Sequence, residues 1–218
     1  MYCKNLLISF CILSLISSCS FTMTPGIQGS GVSSSEQRPV GSFDRVKMDG
    51  TSDATITFGN EHSVTVTADD NLLSIIETNV VGNELRIGTS GSYSTSIGID
   101  IDIVMPALVA CNLDGTGDLN VSGYQGERLD LLTDGTGDIK VQGTVGIVHA
   151  TTDGTGDINL ERLIAREAYA TTDGVGDITV NATEKVDARI DGTGDITILG
   201  KPKDVQTSID GIGDIIRD

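Results

Sequence analysis

The stretch TTDGTGDINL (residues 151–160) contains a five-residue pattern, Asp-Gly-x-Gly-Asp, that starts at Asp114, Asp134, Asp153, Asp173, Asp191 and Asp210. The starts lie 20, 19, 20, 18 and 19 residues apart. A period near 19 signals a solenoid, in which each repeat buries its apolar face only against its neighbours. Two apolar residues at i and i+2 follow each of the first five motifs: Leu119/Val121, Ile139/Val141, Ile158/Leu160, Ile178/Val180 and Ile196/Ile198. Small or branched residues alternate again before the next motif, as in Leu129/Leu131, Val148/Ala150, Ala168/Ala170, Val186/Ala188 and Val205/Thr207. Both segments read as strands with one face inward. Segments such as ERLIARE and NATEK lie between them, absorb the length variation and read as surface loops.

Strand geometry then requires a bend. An unbroken strand from Val148 to Leu160 spans 13 residues, or ~43 Å at the strand rise. The rest of the repeat reaches at most ~25 Å, too little to bring the chain back onto the previous rung. The chain must turn within or beside the motif. Two glycines there supply positive φ or close backbone approach, and aspartate side chains can cap the freed N–H groups. Composition agrees, since the 218 residues include no Trp, 4 Phe and 4 Tyr but 27 Gly. Such a core must rely on Val, Ile, Leu and Ala in thin layers. The expected fold is all-β: a single-stranded parallel β-helix, or β-solenoid, with ~19-residue rungs and DGxGD corners.

Rungs stacked ~4.8 Å apart set the aspartates in two columns. The first holds Asp114, Asp134, Asp153, Asp173, Asp191 and Asp210; the second holds Asp118, Asp138, Asp157, Asp177, Asp195 and Asp214. Like charges at that spacing repel by ~1 kcal/mol even in water, and Asn or Ser could cap a corner without charge. The columns therefore call for compensation by backbone N–H groups, bound cations or a partner. Calcium is the candidate ion, because repeated Gly/Asp turns supply the oxygens it takes. These twelve carboxylates are the candidate metal ligands.

The first residues read as a targeting signal. A lone Lys4 precedes an apolar run, Leu6–Ile16, too short to span a bilayer and long enough for a signal-peptide core. Ile16-Ser17-Ser18-Cys19 follows and resembles the bacterial lipobox. That resemblance implies removal of residues 1–18 and lipid attachment at Cys19, giving a stable membrane anchor if several acyl chains are added. Ser20, in place of Asp, implies sorting to the outer membrane. Residues 19–41 are Ser-, Gly- and Pro-rich without periodicity and read as a flexible tether, with the solenoid domain over 42–218. Cys111 is the cysteine left without an intrachain partner; its alternating apolar setting, ALVACNLDG, makes it a buried small hydrophobe.

Residues 43–113 carry a degenerate motif, Asp49-Gly50-Thr51-Ser52-Asp53, with Ser in place of the second Gly. HSVTVTAD, NELRIGT and IDIDIVM read as strands, and DDNLLSIIETNV as a short helical turn leading into one. This part reads as wider first rungs carrying an insertion. The order VKMDGTSDATIT, VTVTADDNLLSIIETNVVGNELRIGT, IDIVMPALVACNLDGTGDL and then repeated DGTGDI is similar to the bacterial head GIN domain family, which bears an adhesin label by analogy. The resemblance covers about residues 43–218 and implies a parallel β-helix-like fold in an exported or surface setting. Its members usually show Ser-Gly-Ser-Gly-Asp-like corners, where this chain has Asp first.

A formal charge of −17 opposes binding to nucleic acid or to an anionic membrane surface. His62 and His149 lie far apart, each in an alternating strand, and read as surface residues. No zinc spacing, G-x-S-x-G elbow or P-loop occurs. Glycosidases need two carboxylates in unlike environments, whereas these repeat nearly identically, so no enzyme is expected. A Thr ladder, Thr116/Thr136/Thr155/Thr193, is interrupted by Val175 and Ile212 and suits ice binding poorly. The expected molecule is a non-catalytic, lipid-anchored envelope scaffold that binds a protein or glycan, the alternative being a calcium-dependent glycan module. Weak pairing of two copies through the last rung, near Ile215 and Ile216, is a further expectation.

Overall fold

The computed structural model describes residues 26–218; the signal sequence and Cys19 lie outside them. The fold is all-β with one short 3-10 turn, Leu73–Ile75. Its body is a parallel β-solenoid. Four long strands, β11 (Leu119–Thr133), β12 (Ile139–Thr152), β13 (Ile158–Thr172) and β14 (Ile178–Ile190), each run the length of one rung. The last rungs divide into β15 (Ile196–Gly200), β16 (Asp204–Ile209) and β17 (Ile215–Arg217).

Register follows from inward side chains stacking like on like. Leu119, Ile139, Ile158, Ile178, Ile196 and Ile215 are consecutive partners, each pair parallel. Val186 follows Ala168, Val148 and Leu129 in the second half of the rung. All of these except Ile215 are buried, and the many alanines keep the layer thin. The expected reading of Cys111 holds: it is buried and unpaired, and burial pushes its thiol up to about 12. At the outermost rung, Ile209 and Ile216 are 47% and 46% exposed.

The early rungs continue the stack. β3 (Arg45–Met48) pairs in parallel with β10 (Ala110–Leu113) and β7 (Glu84–Thr89). β4 (Asp53–Phe58) does so with β11 and β9 (Asp100–Met105). The insertion then reverses direction. β5 (Ser63–Asp69) is antiparallel to β9, and β6 (Ile76–Val81) is antiparallel to β7. The turn between them buries Leu72 and Leu73, which close this end of the core.

Two expectations are corrected. Residues 33–38 do not belong to a tether: they form β2 (Ser33–Arg38), antiparallel to β5, while β1 (Ile27–Gln28) pairs with β8 (Tyr93–Ser94). Backbone hydrogen bonding recruits this arm, and its side chains stay largely exposed, so it carries no apolar period to read. Its lock is the fully buried Asp69, whose carboxylate accepts from the Gly31 N–H and the Thr95 hydroxyl. The second correction concerns ERLIARE and NATEK, which are not loops. They lie within β13 and β14, and the length variation is taken up by bulges. Between Asn159 and Ile164 of β13, the partner strand advances only from Thr179 to Asn181.

Candidate functional site

The motif residues stack directly. Their central residues form one parallel ladder, Thr51–Thr116–Thr136–Thr155–Val175–Thr193–Ile212, so the degenerate motif at Asp49 is the first of the series. The backbone bends at Asp153 and Gly154, and likewise at the equivalent residues of the next rung. Each central N–H donates to the first glycine's carbonyl one rung back, for example Thr136 to Gly115 and Thr155 to Gly135, both at 2.8 Å. Val175 and Ile212 are 54% and 72% exposed, so this position faces solvent and accepts Val or Ile in place of Thr.

The second column has a specific task. The Asp138 N–H donates to Asp118 Oδ1 at 3.1 Å, Asp157 to Asp138 at 3.1 Å, Asp177 to Asp157 at 2.8 Å, Asp195 to Asp177 at 2.7 Å and Asp214 to Asp195 at 2.8 Å. The ladder starts at Asp53, which accepts from Asp118 at 2.8 Å. A backbone donor freed by the bend is thus met by a charged acceptor from the rung before, among the stronger hydrogen bonds available.

The first column relies on side-chain cations at its ends. Lys47 Nζ lies 2.9 Å from Asp114 and 3.2 Å from Asp49, and Arg189 reaches Asp191 and Asp210. The Lys47 hydrogen bond holds the Asp114 carboxyl below its ordinary range, and Arg189 does the same for Asp191. No ion pair meets Asp134, Asp153 or Asp173 among the described residues. Desolvation first, and then the charges of Asp153 and Asp191, push Asp173 up. The carboxylate environments therefore differ along the column, contrary to the uniformity the repeat suggests, because cations stand at two rungs only. Among the described residues no three His, Cys, Asp or Glu side chains are grouped so that they could hold a metal ion.

The sign of the Asp173 effect is testable. A carboxyl whose folded pKa is raised destabilises the fold while ionised, and that burden lifts as pH falls through the folded pKa toward 3.8. Asp173→Asn is expected to melt above the parent at pH 7, with the gap closing near pH 3.5. Thermal melts at the two pH values read this directly, and an Asn variant that melts lower at pH 7 refutes it. Asp114 and Asp191 act oppositely: their contribution is present above 3.8 and is lost as pH falls below it through their depressed values.

Two outward faces carry groups that the sequence reading left aside. On the half-rungs before the corners, His149 and Tyr169 are half-buried, with ring centroids 4.8 Å apart at 68°. Arg128 Nη2 lies 3.2 Å from His149 Nδ1, and because a guanidinium only donates, Nδ1 accepts. Lys185 Nζ stands 5.0 Å from the Tyr169 ring centroid. His149 and Tyr169 are register partners, a pairing visible once the repeats are aligned. His62 instead packs on Phe43, ring to ring at 4.7 Å. On the half-rungs after the corners, an open groove of about 320 Å³ is lined by Asn120, Ser122, Lys140, Gln142, Glu161 and Arg162, among others. Glu161 and Arg162, which form one wall of its lining, belong to the β13 bulge. The alternation of ERLIARE holds no sign of it; unequal spacing between motifs is the signal that could have found it.

A stack of parallel rungs, with motif carboxylates accepting backbone N–H groups of the next rung and polar side chains turned outward, defines a repeat scaffold of the parallel β-solenoid class. Residues 42–202 match the family described as "Putative auto-transporter adhesin, head GIN domain". The chain belongs to that family. Among solved structures it is similar to a "putative adhesin" from Bacteroides fragilis, with 26% identity and a TM-score of 0.76 over 88% of this chain and 100% of that one. Proteins described in the same words from Parabacteroides distasonis (20% identity, TM-score 0.63) and Parabacteroides merdae (19%, 0.59) share the fold, each over 89% of this chain and 100% of theirs. No curated protein matches the chain. The family and these three neighbours are each described as a "putative" adhesin, which fits a cell-envelope protein. No helix among the described residues is long and apolar enough to cross a membrane.

Proposed function

We propose that this is a non-catalytic envelope lipoprotein, held in the outer membrane through Cys19, whose solenoid acts as an adhesin-like scaffold for a protein or glycan ligand. The observation that carries the reading is the coincidence of the adhesin family's domain with the solenoid, residues 42–202, together with corner carboxylates committed to neighbouring rungs. A scaffold of this kind needs no reacting pair. Its rigidity comes from rung-to-rung hydrogen bonds, and its outward side chains are free to vary.

The anchor is tested by expressing the full chain in a diderm bacterium fed an alkyne-bearing fatty acid. The parent is expected to take up label and to sediment with outer membranes. Cys19→Ser should take up none and appear in the soluble fraction. Label retained by Cys19→Ser overturns the anchor. Adhesion is tested separately: beads coated with the chain should bind envelope or host-cell surfaces saturably, and beads that bind neither overturn the adhesin reading.

A further inference from the structure

We propose that the groove beside the β13 bulge is a binding site for an acidic saccharide, with Arg162 as its carboxylate-binding residue. The inference rests on the adhesin-like reading and gives its ligand a chemical class.

The first observation is a charge imbalance. The chain has 31 acidic and 14 basic side chains, so a surface arginine has acids in ample supply. Six of the eight arginines make an ion pair within 4.0 Å. Among the described residues Arg162 and Arg217 make none, and Arg217 sits on the outermost rung. Arg162 lies inside the stack, next in sequence to Glu161, and still faces the groove without a partner. A guanidinium that makes no ion pair within the chain is available to an external carboxylate, which it can grip at short range through two parallel N–H donors, although the net charge of −17 opposes the approach of an anion at long range.

The second observation is that the wall is built. Bulges re-aim side chains beside functional sites, and this one is pinned from within its own strand and from the neighbouring β14. The Glu161 N–H donates to Asn159 Oδ1 at 3.0 Å, and Asn181 Nδ2 donates to the Glu161 carbonyl at 2.9 Å. Arg162 therefore projects from a backbone fixed by two asparagines.

The third observation concerns the floor. Asn120, Lys140 and Asn159 are successive register partners, as are Ser122 and Gln142. Gln142 Nε2 donates to Ser122 Oγ at 2.8 Å, and Lys140 Nζ lies 3.3 Å from Asp138. Amides and hydroxyls in this row offer both donors and acceptors, the pattern that sugar hydroxyls require. They repeat at the rung spacing of ~4.8 Å, close to the advance of one pyranose unit along an extended glycan. A sugar chain lying along the solenoid axis would meet a new polar row at each unit. Glu161, also on the wall, can accept from a hydroxyl, and its charge sits beside Arg162 without pairing to it.

The test is calorimetric titration of residues 26–218 with oligogalacturonate, hyaluronan oligosaccharide and sialyllactose, each compared with its carboxyl methyl ester. Saturable binding of at least one acid, lost on esterification and about tenfold weaker in Arg162→Gln, is the expected result. Arg86→Gln, which removes an exposed arginine paired to Glu84, should bind like the parent. Equal melting temperatures would show that both variants fold. Binding that Arg162→Gln leaves intact overturns the groove and leaves the adhesin reading standing. Equal binding of acids and esters overturns the carboxylate role. No binding to any of the probes overturns the saccharide assignment, while bead adhesion continues to decide the adhesin reading.

Discussion

Gly135→Ala is expected to be among the most damaging single substitutions in this chain, lowering stability by more than about 4 kcal/mol or preventing the solenoid from forming. A Cβ built on Gly135 would stand 1.9 Å from the carbonyl oxygen of Gly115. That same oxygen accepts the Thr136 N–H at 2.8 Å, so moving it aside breaks the hydrogen bond that joins the two rungs. Nothing flexible can yield, because both partners are backbone. Its equivalents Gly154, Gly174, Gly192 and Gly211 would each meet a carbonyl at 2.1 or 2.2 Å. Gly41→Ala is the control: no atom lies within 4 Å of its Cβ position, and the change should fall within about 0.5 kcal/mol. Chemical unfolding of the three proteins gives the comparison, and near-parental stability in Gly135→Ala would refute the stacking account.

The reason for glycine in the motif is therefore distance more than dihedral angle. Sequence reasoning left two explanations standing, positive φ and close approach, and the first glycine of each full motif needs the second. Positive φ occurs at the second glycine in only part of the series, Gly117, Gly194 and Gly213. The exception in the first motif agrees. Ser52 replaces the second glycine where the ladder of central residues begins at Thr51, so no earlier motif lies beneath it to be struck.

What the sequence makes legible is what repeats. Alternating apolar residues and the recurring motif lead to an all-β solenoid, and the residues around them lead to the family. The arm at 26–41 escapes because β2 is bound through its backbone and shows no apolar face. The wall at Glu161 and Arg162 escapes for a different reason. A bulge keeps the inward residues Leu160 and Leu163 buried while adding residues between them, so it looks like a variable loop in one dimension. The carboxylate ladder was half legible. The need for compensation follows from stacked charges, but the choice of backbone N–H groups follows from where the bend leaves its donors.

That choice gives the second large effect. Asp157→Ala removes the acceptor for the Asp177 N–H and should cost about 1–2 kcal/mol, the worth of a hydrogen bond to a charged group with some replacement by water. For a chain of this size the melting temperature should fall by roughly 2–4 °C for each kcal/mol. Asp157→Asn keeps an acceptor oxygen at the same place and eases repulsion within the column, so it should stay within about 0.5 kcal/mol of the parent. Position matters as well. Asp214 ends the ladder, and among the described residues no N–H donates to its carboxylate, so Asp214→Ala should be nearly silent while Asp157→Ala is not. If Asp157→Asn is as damaging as Asp157→Ala, the charge itself is needed and the acceptor account fails. Melting in calcium and in EDTA then decides the rest: a calcium-dependent rise that Asp157→Asn abolishes would make the second column a cation site, and identical melts in both would leave the carboxylates as rung-to-rung caps.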